Sequence, residues 1–310
     1  MTNAMHTRPG ADSRRWVLAR AARTKITPAP QGDWRYHPVG VHRGNSVRRP
    51  TLAEQKTVVI TGSTGRIGTI LRQAFEGRYR LRSIDRVPTP GVPDAVVASL
   101  TDLGAILPAF RGADTVVHLA ADPRHTPDIG WDTLMPDNVV ASANVYEAAR
   151  KSGVKRVVFF SSMHVCGMYE NDLPWSRIAA GDYAGLDPKR VPLVTADMPA
   201  RPDGLYAVSK IFGEALGKYY AEAYGMEVVV VRLGTVGRED RPGSDARSFV
   251  SWLSHRDLVH LTERATEAPG VKYQIAFGAS DNTWKIYDTL HARKALGYAP
   301  RDNAERFRGR

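Results

Sequence analysis

Val/Ile-rich runs alternating with amphipathic helical runs, a glycine-rich turn directly after the first apolar run, and strands apolar along nearly their whole length predict an α/β fold. The expected architecture is a doubly wound parallel sheet with a small C-terminal cap. Strands covered by helices on both faces read as continuous Val/Ile/Phe, whereas half-exposed strands alternate. In chain order the pattern predicts a strand at 57–61, a helix at 66–75, strands at 79–85 and 94–98, a helix at 103–110 and a strand at 115–120. A long helix follows at about 136–152, then a buried strand at 156–162 that ends in the hydroxyls Ser161 and Ser162. Between Cys166 and Arg201 the pattern breaks into a Pro/Gly/Asp-rich stretch expected as loop or lid, with the lid-like insertion placed at about 170–200. A helix at 205–224 and a strand at 226–232 close the main series. From about 233 the segments are shorter and more polar, as expected of a substrate-side cap.

The first turn carries the most information. Val58-Val59-Ile60 runs into Thr61-Gly62-Ser63-Thr64-Gly65-Arg66-Ile67-Gly68, with glycines spaced to close a backbone over a pyrophosphate at a helix N-terminus. One glycine makes the tight turn, one lets the phosphates approach, and one lets the helix pack close to the strand. Alone such a pattern is weak. Asp85, however, ends the next strand 17 residues after Gly68, near the roughly 20 expected for a carboxylate that binds the adenosine ribose. A carboxylate there accepts from the ribose hydroxyls and repels the extra phosphate of NADP, so NAD is the expected cofactor in a Rossmann-type domain. Arg86, next in sequence, is the one residue able to offset that repulsion.

The chain of 310 residues can bury a full core, and its single cysteine, Cys166, excludes an internal disulfide and a cysteine-rich metal site. No metal site is expected. With no apolar run of 18 residues and no secretory core, the reading is a cytoplasmic protein that meets neither membrane nor nucleic acid. The net charge of +11 is concentrated ahead of the first strand, where residues 1–56 hold 11 Lys and Arg against Asp12, Asp33 and Glu54. Residues 1–55 are therefore expected as a basic, poorly ordered arm before a Rossmann-type domain at 56–310. A solvated tail, a transit-like leader or overextended start, and an interaction arm all remain open for it.

Tyr206-Ala207-Val208-Ser209-Lys210 places a phenol and an ammonium at i and i+4, on one face of a helix. A tyrosine is a poor base at neutral pH, and a nearby cation favours its phenolate, which can then take a proton from a substrate hydroxyl. Ligands in such sheets sit at the C-terminal ends of the strands, where Ser161-Ser162 lies.

These residues, with Asn138, resemble the extended short-chain dehydrogenase/reductase superfamily over roughly residues 56–305. Ser161-Ser162-Met163-His164-Val165-Cys166-Gly167, Arg201 to Tyr206, Arg232-Leu233-Gly234-Thr235, Trp252 to Asp257 and Gly278-Ala279-Ser280 look like uronate dehydrogenases, as do Leu296-Gly297-Tyr298 and Asp302 to Glu305. The resemblance implies NAD-dependent oxidation of the C1 hydroxyl of a cyclic hexuronate to its lactone. Tyr206 would be the base, Lys210 would keep it ionised and bind the nicotinamide ribose, and Ser162 would bond the reacting oxygen. The cofactor would meet Gly62, Thr64, Gly65, Arg66, Ile67, Gly68, Asp85, Ser99, Leu100, Leu119, Ala120, Ala121 and Asn138. The substrate would meet Asp122, Met163, His164, Thr235 and Arg247, with Arg247 holding the carboxylate as a planar fork. Plainer readings stand beside three of these: a solvated surface Arg247, a satisfied His164, and Asn138 as an ordinary helix residue.

The chain departs from that pattern at several points. Met163 replaces an asparagine, Ser99 replaces an acid, the loop after Ala121 reads Asp122-Pro123-Arg124-His125, and the stretch around 173–194 lengthens the interval between Ser162 and Tyr206. Arg124 or His125 could address a different anion such as a phosphate. A sugar-phosphate or neutral aldose dehydrogenase is therefore the enzymatic alternative. A nucleotide-sugar epimerase or dehydratase is disfavoured by the 78 residues left after Arg232, and a catalytically idle NAD-binding regulator by the intact Ser162, Tyr206 and Lys210. The expected partners are a small sugar and other copies of the chain.

Overall fold

A computed structural model of the protein describes residues 55–126 and 128–309. The basic arm lies outside the described residues. Seven strands form one sheet: β1 (Thr57–Thr61), β2 (Arg80–Asp85), β3 (Val96–Val97), β4 (Thr115–His118), β5 (Arg156–Ser162), β6 (Glu227–Leu233) and β7 (Tyr273–Gly278). Every pairing is parallel, in the order β3-β2-β1-β4-β5-β6-β7. The chain reverses direction across the sheet between β1 and β4. The crevice outside their C-terminal ends is where a doubly wound sheet binds ligands.

Pleating sends successive side chains to opposite faces. Val58 and Ile60 of β1 pack with Leu71 and Phe75 of α1 (Arg66–Phe75), Leu258 and Leu261 of α8 (His255–Glu267) and Leu296 of α9 (Leu290–Leu296). Val59 faces the other way, toward Ile106 and Phe110 of α2 (Leu103–Phe110), Val145 and Tyr146 of α4 (Ala141–Lys151), and Tyr220 of α6 (Leu205–Tyr224). The central valines of β4, β5 and β6 are fully buried, each contributing about 1.5–3 kcal/mol relative to exposure. Two-sided burial is the reason these strands lack polar alternation.

The expected strands and helices of the first half stand, but the strand expected at 115–120 ends at His118 and two other elements differ more. The strand at 94–98 shrinks to two residues. The helix expected from 136 begins earlier, as α3 (Trp131–Leu134), passes through a π turn at Met135–Val140, and continues as α4. Pro136 lacks the N–H that a regular α-helix would use there, and the wider turn carries the buried Asn138.

The stretch expected as loop contains a 3₁₀ segment (Met163–Asn171) and α5 (Trp175–Ala179). Ile178 and Val194 are fully buried in a third apolar cluster with Phe277, Ile286 and Tyr287, so this segment shares a core with the C-terminal part. Its high Pro/Gly content concealed those contacts because they join residues far apart in sequence. The strand at 226–232 does not close the sheet, since β7 pairs with it along Val228 to Leu233. The region after 233 thus supplies a seventh strand as well as α7 (Ala246–Ser251), α8 and α9. Among the described residues, no helix is long and apolar enough to cross a membrane.

Candidate active site

The dinucleotide end is built by β1, α1 and the ends of β2 and β4. Gly62 sits at φ +70°, and a Cβ there would lie 2.7 Å from the backbone nitrogen of Ala120, so turn and crossing both require glycine. The Gly65 position that opens α1 has no side-chain cap, which leaves the first N–H groups directed at an incoming anion. Arg66 lies beside this terminus and is tied by its Nη1 to the Val236 carbonyl at 2.7 Å. Ile67 packs on the core and Gly68 is buried against the turn.

A cleft of about 230 Å³ runs from Gly62, Thr64 and Gly65 past Asp85 to Ser99 and Leu100, bounded on its other side by Leu119, Ala120 and Ala121. The Asp85 carboxylate accepts from the Thr64 backbone N–H at 2.9 Å and its hydroxyl at 2.8 Å, which holds it at the mouth. Two further lining residues were not singled out from sequence as a pair. Arg86 is drawn to Asp137 at 2.8 Å, so its guanidinium is neutralised instead of standing ready for a ribose phosphate. Those features fit NAD.

At the reacting end, β5 turns its two serines to opposite faces. Ser161 donates to buried Glu214 at 2.6 Å, and Glu214 also receives Arg232 through Nε at 3.0 Å and Nη2 at 2.8 Å. This buried network fixes α6 against β5 and β6. Glu214 lies eight residues after Tyr206 on the same helix, a repeat of the i, i+4 spacing that could have pointed to it. Ser162 caps the 3₁₀ segment through the His164 N–H at 3.3 Å and shares a hydrogen bond with Tyr206.

Lys210 is buried, donates to the Phe160 carbonyl at 3.0 Å, and lies 5.8 Å from the centre of the Tyr206 ring. Burial pulls its ammonium down to about 8, with Glu214 acting in the opposite sense. Burial pushes the Tyr206 phenol up to about 12, Ser162 pulls it back, and the Asp122 charge adds to the rise. The lowering expected from Lys210 is not seen, and desolvation is the largest influence on the phenol. Beneath them His118, bonded to Thr61 and Ser142, is pushed down to about 3 by burial and is neutral.

Asn138 is a brace. Its amide nitrogen reaches the Asp122 carbonyl at 3.1 Å and Ser209 at 2.9 Å, while its oxygen receives the Asp122 N–H at 2.7 Å. The π turn, the loop after β4 and α6 are thereby held in one register. Asp122 itself pairs with Arg124, whose hydrogen bonds keep its carboxyl below the usual range. Arg124 is consequently compensated, while His125 packs against His164 with the rings tilted and their centroids 4.5 Å apart.

His164 lies 6.1 Å from the Tyr206 ring, and its Nδ1 pairs with Asp203 at 2.6 Å. A carboxylate only accepts, so Nδ1 carries the proton of this bond and Nε2 is directed away from Asp203. Asp203 also acts electrostatically on Arg247. Arg247 donates from Nε to Glu170 at 2.5 Å. Sequence reasoning missed Glu170, whose partner lies 77 residues away.

Of the expected substrate residues, Met163 is 2 % exposed within the third apolar cluster, and Thr235 shares a hydrogen bond with Ser251 at 2.8 Å.

Residues 58–263 match the model of the NAD dependent epimerase/dehydratase family. The chain is 36% identical over 259 residues to an NAD-dependent glucose-6-phosphate dehydrogenase of Haloferax volcanii, covering 81% of this chain and 95% of that one. It is 33% identical over 256 residues to a uronate dehydrogenase of Pseudomonas putida, covering 81% and 86%. A crystal structure of uronate dehydrogenase from Agrobacterium tumefaciens superposes with a TM-score of 0.68 at 33% identity, covering 82% of this chain and 87% of that one. The cleft, the Ser162/Tyr206/Lys210 group and these likenesses agree: the chain is an NAD-dependent oxidoreductase and belongs to the NAD dependent epimerase/dehydratase family, within the extended short-chain dehydrogenase/reductases.

Proposed function

We propose that the chain oxidises the C1 hydroxyl of an aldohexuronate, or a closely related acidic sugar, to its lactone. The observation that carries this reading is the hydrogen bond shared by Ser162 and Tyr206 beside Lys210, with the Asp203-bound His164 ring edge-on to Tyr206 and Arg247 within electrostatic reach of Asp203. In this reading Ser162 bonds the C1 hydroxyl oxygen and Tyr206 takes its proton as the C1–H bond breaks. NAD, when bound, supplies the hydride acceptor. Lys210, fixed by the Phe160 carbonyl, keeps a positive charge beside the phenol, and the Glu214–Arg232 pair keeps α6 from shifting. His164, oriented by Asp203, accepts from a sugar hydroxyl.

One observation favours a second substrate within this reaction. The Nε side of Arg247 is taken by Glu170, and the Haloferax volcanii relative is named for glucose 6-phosphate. The test is NADH formation with glucuronate, galacturonate, glucose 6-phosphate and glucose, each with NAD and NADP. Turnover of the uronates above glucose supports the proposal, turnover of the phosphate alone moves the assignment to the second substrate, and no turnover of any of them overturns both.

A further inference from the structure

Glu170 lies near the end of the 3₁₀ segment that Ser162 opens, and its side chain is only 11 % exposed. Its Oε1 accepts from the phenol of Tyr287 at 2.7 Å, and Tyr287 is itself 3 % exposed. Its Oε2 accepts from Arg247 Nε at 2.5 Å. Both oxygens are therefore held, one by a buried hydroxyl on the C-terminal part and one by α7. Arg247 keeps its Nη edge without a further hydrogen bond among the described residues, and its side chain is 34 % exposed. The guanidinium thus retains a two-pronged donor edge while the carboxylate beside it offsets its charge. Asp203 adds a second negative charge within electrostatic reach of Arg247.

We propose that Glu170 is a specificity-determining residue: by offsetting the charge of Arg247 while fixing its orientation, it narrows the margin by which the site prefers an acidic sugar over a neutral one. The inference rests on Arg247 meeting the substrate, as in the preceding section. An anion docking on the Nη edge has the geometry of a clamp but meets a nearly neutral pair, whereas a hydroxyl accepts the same hydrogen bonds with little electrostatic consequence.

Glu170→Gln preserves the shape, keeps a carbonyl oxygen that accepts from Arg247 and turns an amide N–H toward the phenol oxygen of Tyr287, which can accept it, and removes the charge. It is expected to lower KM for glucuronate on the order of tenfold, leaving KM for glucose and both kcat values within about twofold. A purely structural role would move both sugars together, so an unchanged or reduced ratio of the two KM values overturns the proposal. The wild type gives a second measurement that does not depend on the variant folding. Its KM for glucuronate is expected to change little between low and high salt, because a neutral pair is weakly screened, and a rise of more than about tenfold overturns the proposal. Absence of wild-type turnover with any sugar overturns the substrate reading as well, whereas turnover with an unmoved ratio overturns the role of Glu170 alone.

Discussion

Adding one methyl group at Gly68 and, separately, at Gly65 divides the stability of the nucleotide turn from its affinity. At Gly68 a Cβ would lie 2.8 Å from both Cα and the carbonyl carbon of Ser63, and closer still to the Gly62 carbonyl oxygen. All three are backbone atoms of the turn, so no side chain can swing away. Overpacking of this kind costs about 1–3 kcal/mol. Taking about 2 kcal/mol, and about 2–4 °C per kcal/mol for a large domain, Gly68→Ala should lower Tm by about 4–8 °C. At Gly65 the backbone has φ −65°, open to any residue, and a Cβ meets only the Gly62 oxygen at 3.3 Å. Gly65→Ala should therefore keep Tm within about 2 °C and instead weaken the approach of the pyrophosphate. Thermal melts with and without NAD read both effects, because a ligand that binds the folded state raises Tm by mass action. Gly68→Ala should melt early and Gly65→Ala should lose most of the NAD-induced shift. An unchanged melt for Gly68→Ala, or an intact NAD shift for Gly65→Ala, would refute this account of the turn.

The other predictions concern the two ends of the cleft. Tyr206→Phe should reduce kcat about a hundred- to ten-thousand-fold while the NAD affinity from titration stays within about twofold; undiminished turnover removes Tyr206 as the base. Because burial holds the Tyr206 phenol at about 12, its basic form becomes more abundant as pH rises, so kcat should climb with pH below about 8. It should bend above about 8, where Lys210 loses its proton, and a flat profile would assign the base elsewhere. Asp85→Ala should raise the NADP/NAD ratio of kcat/KM more than about tenfold, and Asp137→Ala should add to it by releasing Arg86. An additive effect of zero for Asp137→Ala would mean that Arg86 does not reach the ribose.

Much of the fold was legible because its signals are local. The bounds of β1, α1, α2, β5 and α6 follow from apolar periodicity and from glycines that only a phosphate-binding turn needs. Residues of the cofactor cleft from Gly62 to Ala121 were legible for the same reason, as parts of turns directly following strands. β7 was not, because its burial pattern is only partial and nothing near Tyr273 announces a partner 45 residues upstream at Val228. Nor was the shared core of Ile178, Val194 and Tyr287, which joins a Pro-rich stretch to the far end of the chain.

The order of residues was enough to establish the doubly wound class, the dinucleotide turn and the Ser162/Tyr206/Lys210 group, because each depends on spacing within one element or at its end. Charge balance was decided only in three dimensions. Arg86 with Asp137, Arg124 with Asp122, and Arg247 with Glu170 are cations whose availability to a ligand depends on a carboxylate that folding brings within hydrogen-bond reach. The standing of Tyr206 was decided the same way, since desolvation in the assembled site, which spacing within one helix cannot reveal, is the largest influence on its phenol.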